Sequence, residues 1–261
     1  MSESITATRA EPGVAPTVGP PMAPSERMLV VIPAFNEAGR VHRVVEDVRG
    51  SLPWADVLVV DDGSGDRTGA EALAAGARVL RLPVNLGYGA ALQAGYKYAV
   101  RHHYDLLGQI DADGQHLAEH FLPLLAHLGE HDVDVVIGSR FLDRDGHYQP
   151  ARARKLGMAL FGSIASAVTR QHVSDPTSGF QVMRRSVAEF FCSEVYPTDY
   201  PDADILILLH RSGFRIGEVG VKMRPPSAKS MHSGHRSLYY VYKMSLSILV
   251  TLLRRGADRR S

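Results

Sequence analysis

Asp111 and Asp113 stand either side of a single small residue, Ala112, where the apolar run Asp105–Asp111 ends. Two carboxylates so spaced in a turn can share one hard cation. Mg2+ and Mn2+ take oxygen ligands of this kind and commonly keep bonds to substrate phosphates. A cation held there would neutralise the charge developing on a nucleoside diphosphate as it leaves. Taken alone, the same spacing also describes an ordinary solvated turn. Its surroundings are polar in the same manner, with Asn36 and Glu37 closing the first apolar run and Asp61 and Asp62 the second.

Those clusters need a scaffold. Met28–Pro33 (MLVVIP), Asp56–Asp61 (DVLVVD), Ala77–Leu82 and Asp105–Asp111 are short runs rich in Val, Ile and Leu. Such runs fit strands buried on both faces of a parallel sheet. Between them, Val41, Val44, Val45, Val48 and Leu52 recur at helical spacing before Pro53. Thr68–Ala75 and Tyr88–His103 supply two further crossovers. Strand and helix alternating in this way predict an α/β fold with a doubly wound, mostly parallel sheet. Ligands of such sheets bind beyond the carboxyl ends of the strands, where the polar clusters fall. Further along, Asp134–Arg140 reads as a strand, Arg152–Thr169 as a helix and Phe180–Met183 as a short strand. Asp202–Ser212 reads as a helix and Arg215–Arg224 as a strand, with no internal repeat.

The bulk properties narrow the class. A chain of 261 residues with 45% hydrophobic and 22% charged residues suits one soluble globular domain. Its formal net charge of +1 gives no reason to expect a nucleic-acid partner. Cys192 is the only cysteine, so neither an intrachain disulfide nor a cysteine-built zinc site can form. Beside Phe190 and Phe191 it reads as a small buried hydrophobe. Residues 1–27 carry five prolines among small and polar residues and read as a disordered tail without the apolar stretch of a secretory signal. The body is accordingly expected in the cytoplasm.

The motifs, taken in order, carry a family resemblance. Pro33-Ala34-Phe35-Asn36-Glu37 ends the first strand, and Asp61-Asp62-Gly63-Ser64-Gly65-Asp66-Arg67-Thr68 the second. Asn85-Leu86-Gly87-Tyr88-Gly89 precedes a helix, and Gln109-Ile110-Asp111-Ala112-Asp113-Gly114-Gln115-His116 ends the fourth strand. This series resembles the family 2 glycosyltransferases of GT-A fold. Gly138-Ser139-Arg140-Phe141, Ser174-Asp175-Pro176-Thr177-Ser178-Gly179-Phe180 and Gly217-Glu218-Val219 are similar to the branch of dolichyl- and polyprenyl-phosphate sugar synthases. The likeness runs from about Met28 to about Arg224.

The resemblance implies roles for particular residues. Pro33, Ala34, Phe35 and Glu37 would line a nucleotide-sugar donor, with Asp62 on the base or ribose. Asp111, Asp113 and Gln115 would surround a Mg2+ or Mn2+ ion, with Ala112 beside the donor. Arg140 would face the diphosphate or an acceptor phosphate, as suits a guanidinium able to make paired contacts to phosphate oxygens. Asp113, Arg140 and Asp175 form the expected catalytic set, and transfer would invert the anomeric carbon. Asp175 reads equally as a turn residue before Pro176 or as a carboxylate that orients or deprotonates the acceptor. Asp202 and Asp204 read as helix caps or as a base for a hydroxyl acceptor. Gln181 departs from the pattern, standing where an arginine is common. The segment after Arg224 is shorter than the resemblance leads one to expect, which leaves phosphate roles for Arg224 and Lys229 open.

The expected organisation is a tail over 1–27, the GT-A domain over 28–230 and an apolar or amphipathic helical segment over 231–261. Leu238–Leu253 (LYYVYKMSLSILVTLL) is interrupted by Lys243 and followed by Arg254 and Arg255. Its tyrosines and basic residues suit docking on the inner face of the plasma membrane, where a polyprenyl phosphate acceptor would be met. Packing on the domain, or against a second copy in a homodimer, is the alternative for that helix. Two other functions compete: transfer to a soluble hydroxyl acceptor, and a non-catalytic nucleotide-sugar binding module.

Overall fold

Val, Ile and Leu without polar interruption make β1 (Met28–Ala34) a strand buried along its whole length. The computed structural model describes residues 26–142, 174–194, 196–197 and 203–224. After β1 come α1 (Val41–Ser51), β2 (Asp56–Asp61), α2 (Thr68–Ala74), β3 (Arg78–Arg81), α3 (Tyr88–Arg101) and β4 (Leu106–Gln109). A 3-10 turn, Ala118–His120, leads into α4 (Phe121–Glu130) and β5 (Val135–Ser139). The remainder comprises β6 (Gln181–Arg184), α5 (Arg185–Phe191), α6 (Ala203–Arg211) and β7 (Ile216–Gly220).

The strands form one seven-stranded sheet ordered β3-β2-β1-β4-β6-β5-β7. Only β6 runs against the rest, pairing antiparallel with β4 and β5, so the doubly wound, mostly parallel expectation holds. Successive strand residues point to opposite faces, and two apolar layers result. Leu29, Val31, Leu58 and Val60 pack under α3, α5 and α6, while Met28, Val30, Ile32, Val57 and Val59 pack under α1, α2 and α4. Helix α1 buries Val41, Val44, Val45 and Val48 as one stripe, each worth about 1.5–3 kcal/mol when removed from water.

Two helices were not expected from the sequence. Helix α4 buries Phe121, Leu124, Leu125 and Leu128 at helical spacing, a legible signal. Helix α5 follows β6 without a loop and has only seven residues, too few for a period to show. At the other end, Arg27, read with the tail, is docked: its carbonyl accepts the amides of Asp105 and Leu106, and its guanidinium lies 4.4 Å over the Tyr104 ring. The expected helix at Arg152–Thr169, the C-terminal helix and nearly all of the tail lie outside the described residues.

The order of the sheet positions the site. The chain runs outward from β1 through β2 to β3, then returns to place β4 on the far side of β1. Such a reversal opens a crevice at the carboxyl ends of the two strands. The β1–β4 ladder ends at Val31 and Gln109, so Pro33, with no N–H to offer, lies beyond the last pair on that side.

Candidate active site

The crevice gathers acidic residues from β1 and β4. Asp111, Asp113 and Glu37 stand within electrostatic reach of one another. Ala112 between the two aspartates is buried in the apolar layer, and Phe35 beside Glu37 is 45% exposed at the mouth. Burial pushes the Asp111 carboxyl above the usual range, against the opposing effects of a Tyr88 hydrogen bond and the Arg140 charge. Asp113 is raised first by burial and then by its neighbour Asp111. Glu37 is raised by burial, Arg40 opposing, with Asp113 and Asp111 adding to the rise. Carboxyls so placed raise one another's cost of ionisation, which positive charge in the crevice would offset.

The turn carrying them is fixed locally. Asp113 accepts the Gln115 amide at 2.9 Å, and the Gln115 side-chain amide also donates to it. The chain returns to this turn at its far end, where Met223 bridges His116 and the Arg224 amide donates to the Gln115 carbonyl at 2.8 Å. His116 is buried, stacked 5.0 Å from Phe180 at an interplanar angle of 10°, and burial lowers its pKa to about 4.

Asp62 sits at the end of β2, only 3% exposed. Its two oxygens accept the backbone amides of Leu86 and Gly87 at 2.7 and 2.9 Å, so it holds the loop before α3. Gly63 next to it has φ +70, and a Cβ there would lie 2.6 Å from the Val84 carbonyl carbon. The β1 segment is pinned from the same side: the Glu37 amide donates to Thr68 Oγ1 at 2.8 Å and the Asn36 amide to Ser64 Oγ at 3.0 Å. Ser64 and Thr68 are thus part of the site's frame.

Arg140 and Asp175 are brought together as a buried pair. Arg140 Nε and Nη2 donate to the two Asp175 oxygens at 2.6 Å each, and the Arg140 amide donates to Oδ2 at 3.0 Å. Glu218 of β7 holds the segment from behind by accepting the amides of Ser174 and Asp175. Gln181, the departure from the family pattern, donates to the Ser178 carbonyl at 2.9 Å. Glu218 stands in the Gly217-Glu218-Val219 motif, but its partners lie on a segment far from it in the chain, and the motif alone gave it no role. Gly179 was missed in the same way: a Cβ there would meet Tyr88 Oη at 2.8 Å and Asp111 Oδ2 at 2.9 Å.

Asp204 is buried in the first turn of α6, and Asp202 and Lys229 lie outside the described residues. The Arg224 guanidinium donates to Asp47 at 2.7 Å. Cys192 is half-buried, with its thiol pKa pushed up by burial.

The model for glycosyl transferase family 2 matches residues 29–191, more than half of the chain. The chain belongs to glycosyl transferase family 2. Within it, a polyprenol monophosphomannose synthase of Mycolicibacterium smegmatis is 35% identical over 173 residues, covering 64% of each protein. The chain therefore spans less than two thirds of that relative. An undecaprenyl-phosphate mannosyltransferase of Micrococcus luteus is 33% identical over 164 residues, covering 60% of this chain and 66% of the relative. Among solved structures, glucosyl-3-phosphoglycerate synthase of Mycobacterium tuberculosis, in complex with Mn2+, UDP and glucosyl-3-phosphoglycerate, superposes with a TM-score of 0.62. It shares 22% identity over 91% of this chain and 82% of that one, which establishes the fold and agrees with the GT-A expectation.

A divalent cation fits the family 2 site. Among the described residues no three His, Cys, Asp or Glu side chains converge on one point. Asp111 and Asp113 would hold the ion with oxygens alone, leaving its other positions to phosphate and water, as Mg2+ prefers. The Arg140 guanidinium, paired with Asp175, offsets only part of what burial costs the Asp111 charge.

Proposed function

We propose that this chain is an inverting glycosyltransferase that moves a sugar from a nucleotide-sugar donor to polyprenyl phosphate. The observation that carries the reading is the Asp111–Asp113 turn at the β1–β4 crevice of a family 2 chain. The lipid-phosphate relatives support the acceptor.

Pro33, Ala34, Phe35 and Glu37 line the donor's nucleoside along the end of β1, and Asp62 contacts it while holding the Leu86–Gly87 loop. A divalent cation on Asp111 and Asp113, with Gln115 beside them, supplies the positive charge that offsets the departing nucleoside diphosphate. A phosphate monoester acceptor has a second pKa near ~6 and arrives largely ionised, so it needs positioning more than deprotonation. Arg140, oriented by Asp175, contributes the positive charge on the acceptor side of the crevice. No helix among the described residues is long and apolar enough to cross a membrane. Residues 231–261 would bring the crevice to the bilayer surface, and a second copy is the other candidate to cover that segment.

A soluble acceptor is the second reading, favoured by the M. tuberculosis structural neighbour, which was solved with phosphoglyceric acid bound. The experiment is to offer the protein Mn2+, a panel of nucleotide sugars, undecaprenyl phosphate in detergent and 3-phosphoglycerate. Labelled lipid whose linkage is inverted by NMR coupling constants is the expected result. Transfer to phosphoglycerate without lipid product would move the assignment to the second reading. A retained anomeric configuration would overturn the single-displacement mechanism.

A further inference from the structure

Tyr88 opens α3, and its hydroxyl donates to Asp111 Oδ1 at 2.7 Å. The direction is forced, because an ionised carboxylate only accepts. With its one proton spent, the Tyr88 oxygen accepts from Gln109 Nε2 at 3.2 Å. That orientation turns Gln109 Oε1 to Tyr96, whose hydroxyl donates to it at 2.5 Å. Three donors, Tyr96, Gln109 and Tyr88, therefore point the same way and end on Asp111.

The chain is rooted in the core. Tyr96 and Gln109 are 1% and 3% exposed. An unmatched donor or acceptor there costs about 1–3 kcal/mol, so no single member can turn round without penalty. Rings reinforce the hydroxyls: Tyr196 meets Tyr96 edge-on at 5.6 Å, and Phe191 lies 5.5 Å from Tyr96. Gly179 leaves the room the Tyr88–Asp111 contact needs, because a Cβ there would lie 2.8 Å from Tyr88 Oη and 2.9 and 3.1 Å from the two Asp111 oxygens.

We propose that Tyr88 is a positioning residue for the cation site, fixing the Asp111 carboxylate through a one-way relay from Tyr96 and Gln109. The inference rests on the reading of Asp111 as a cation ligand. Groups that hold a metal ligand typically contribute about 10- to 100-fold to metal affinity, and Tyr88 occupies that position relative to Asp111.

The test is Mn2+ binding, read by loss of the free-ion EPR signal in the presence of UDP or GDP. The whole chain is compared with Tyr88→Phe, Tyr96→Phe and the double variant. Tyr88→Phe should weaken Mn2+ binding roughly 10- to 100-fold while the protein stays folded, with a few degrees lost in melting temperature because the Gln109 amide loses its acceptor. Tyr96→Phe should weaken it less, and the double variant should be no weaker than Tyr88→Phe, because Tyr96 acts through Tyr88. Unchanged Mn2+ affinity in Tyr88→Phe overturns the inference and leaves the cation reading standing. Additive losses in the double variant overturn the relay. Should Tyr88→Phe not fold, Tyr96→Phe decides, since its hydroxyl does not touch Asp111, and unchanged affinity there overturns the relay. Failure of the parent protein to take up Mn2+ with either nucleotide removes the cation reading and this inference together.

Discussion

Arg140 and Asp175 meet as a two-pronged ion pair in which the arginine side chain is 7% exposed and the aspartate fully enclosed. Removing one partner of such a pair leaves an uncompensated buried charge and costs about 3–5 kcal/mol. Asp175→Asn should therefore lower the melting temperature by roughly 10 °C, since a chain of this size loses about 2–4 °C per kcal/mol. Its loss of activity should follow the loss of fold. An Asp175→Asn protein with unchanged melting temperature and no turnover would make Asp175 a base instead.

Asp113 gives the opposite signature. Its carboxyl is raised by burial and by Asp111, so its charge works against the apo fold. Asp113→Ala should leave apo stability equal or slightly higher. It should abolish the rise in melting temperature that Mn2+ and a nucleotide sugar give the parent protein. Turnover should fall by about 10³-fold or more, the scale of several kcal/mol of charge stabilisation. EDTA should do the same to the parent, and full activity in excess chelator would refute the cation site.

The half of this site that lies on strand ends was legible, because it is local. A run of buried residues followed by Asp111-Ala112-Asp113 says both where a strand stops and what stands there. The period of α1 and the runs of β1 and β2 gave the sheet in the same way. What was not legible depends on pairs distant in sequence. Gly179 matters only because β6 brings it against Asp111, and Glu218 only because β7 carries it under Ser174. The Arg140–Asp175 pair shows the difference plainly: each residue suggested phosphate or acceptor chemistry alone, and their mutual contact appears only in the fold. Even Tyr88, quoted within a motif, carried no mark of its hydroxyl's target.

His116 gives a pH dependence of definite sign. Burial lowers its pKa from 6.5 to about 4, so between those values the unfolded chain binds a proton that the native one refuses. Its contribution is present above pH 6.5 and is lost as pH falls toward 4, by at most about 3 kcal/mol. Asp111, Asp113 and Glu37, all raised, act in the other direction and favour the apo fold as pH falls. Comparison with His116→Phe, which keeps a ring against Phe180, isolates the histidine. The difference in unfolding free energy between parent and variant should change between pH 6.5 and 4 and stay flat above. A difference independent of pH would show that His116 is not neutral in the native state.

Gly179 provides the sharpest separation of fold from site. Its φ is not among the positive values, so glycine is not needed there for the backbone. It is needed for space: a Cβ would lie 2.8 Å from Tyr88 Oη and 2.9 and 3.1 Å from the two Asp111 oxygens. Real Cβ atoms do not approach so closely, and the atoms met are side-chain ends, which can move where backbone cannot. Gly179→Ala should therefore fold, with a stability loss of about 1–3 kcal/mol, the usual cost of overpacking. The displaced Asp111 should cost about 10- to 100-fold in Mn2+ affinity, read by EPR. Gly65→Ala is the control, because nothing lies within 4 Å of a Cβ there and its φ is also not positive. It should bind Mn2+ as the parent does. Parent-like Mn2+ binding by folded Gly179→Ala would mean that Asp111 tolerates displacement and that the close approach of the glycine has no part in holding the cation.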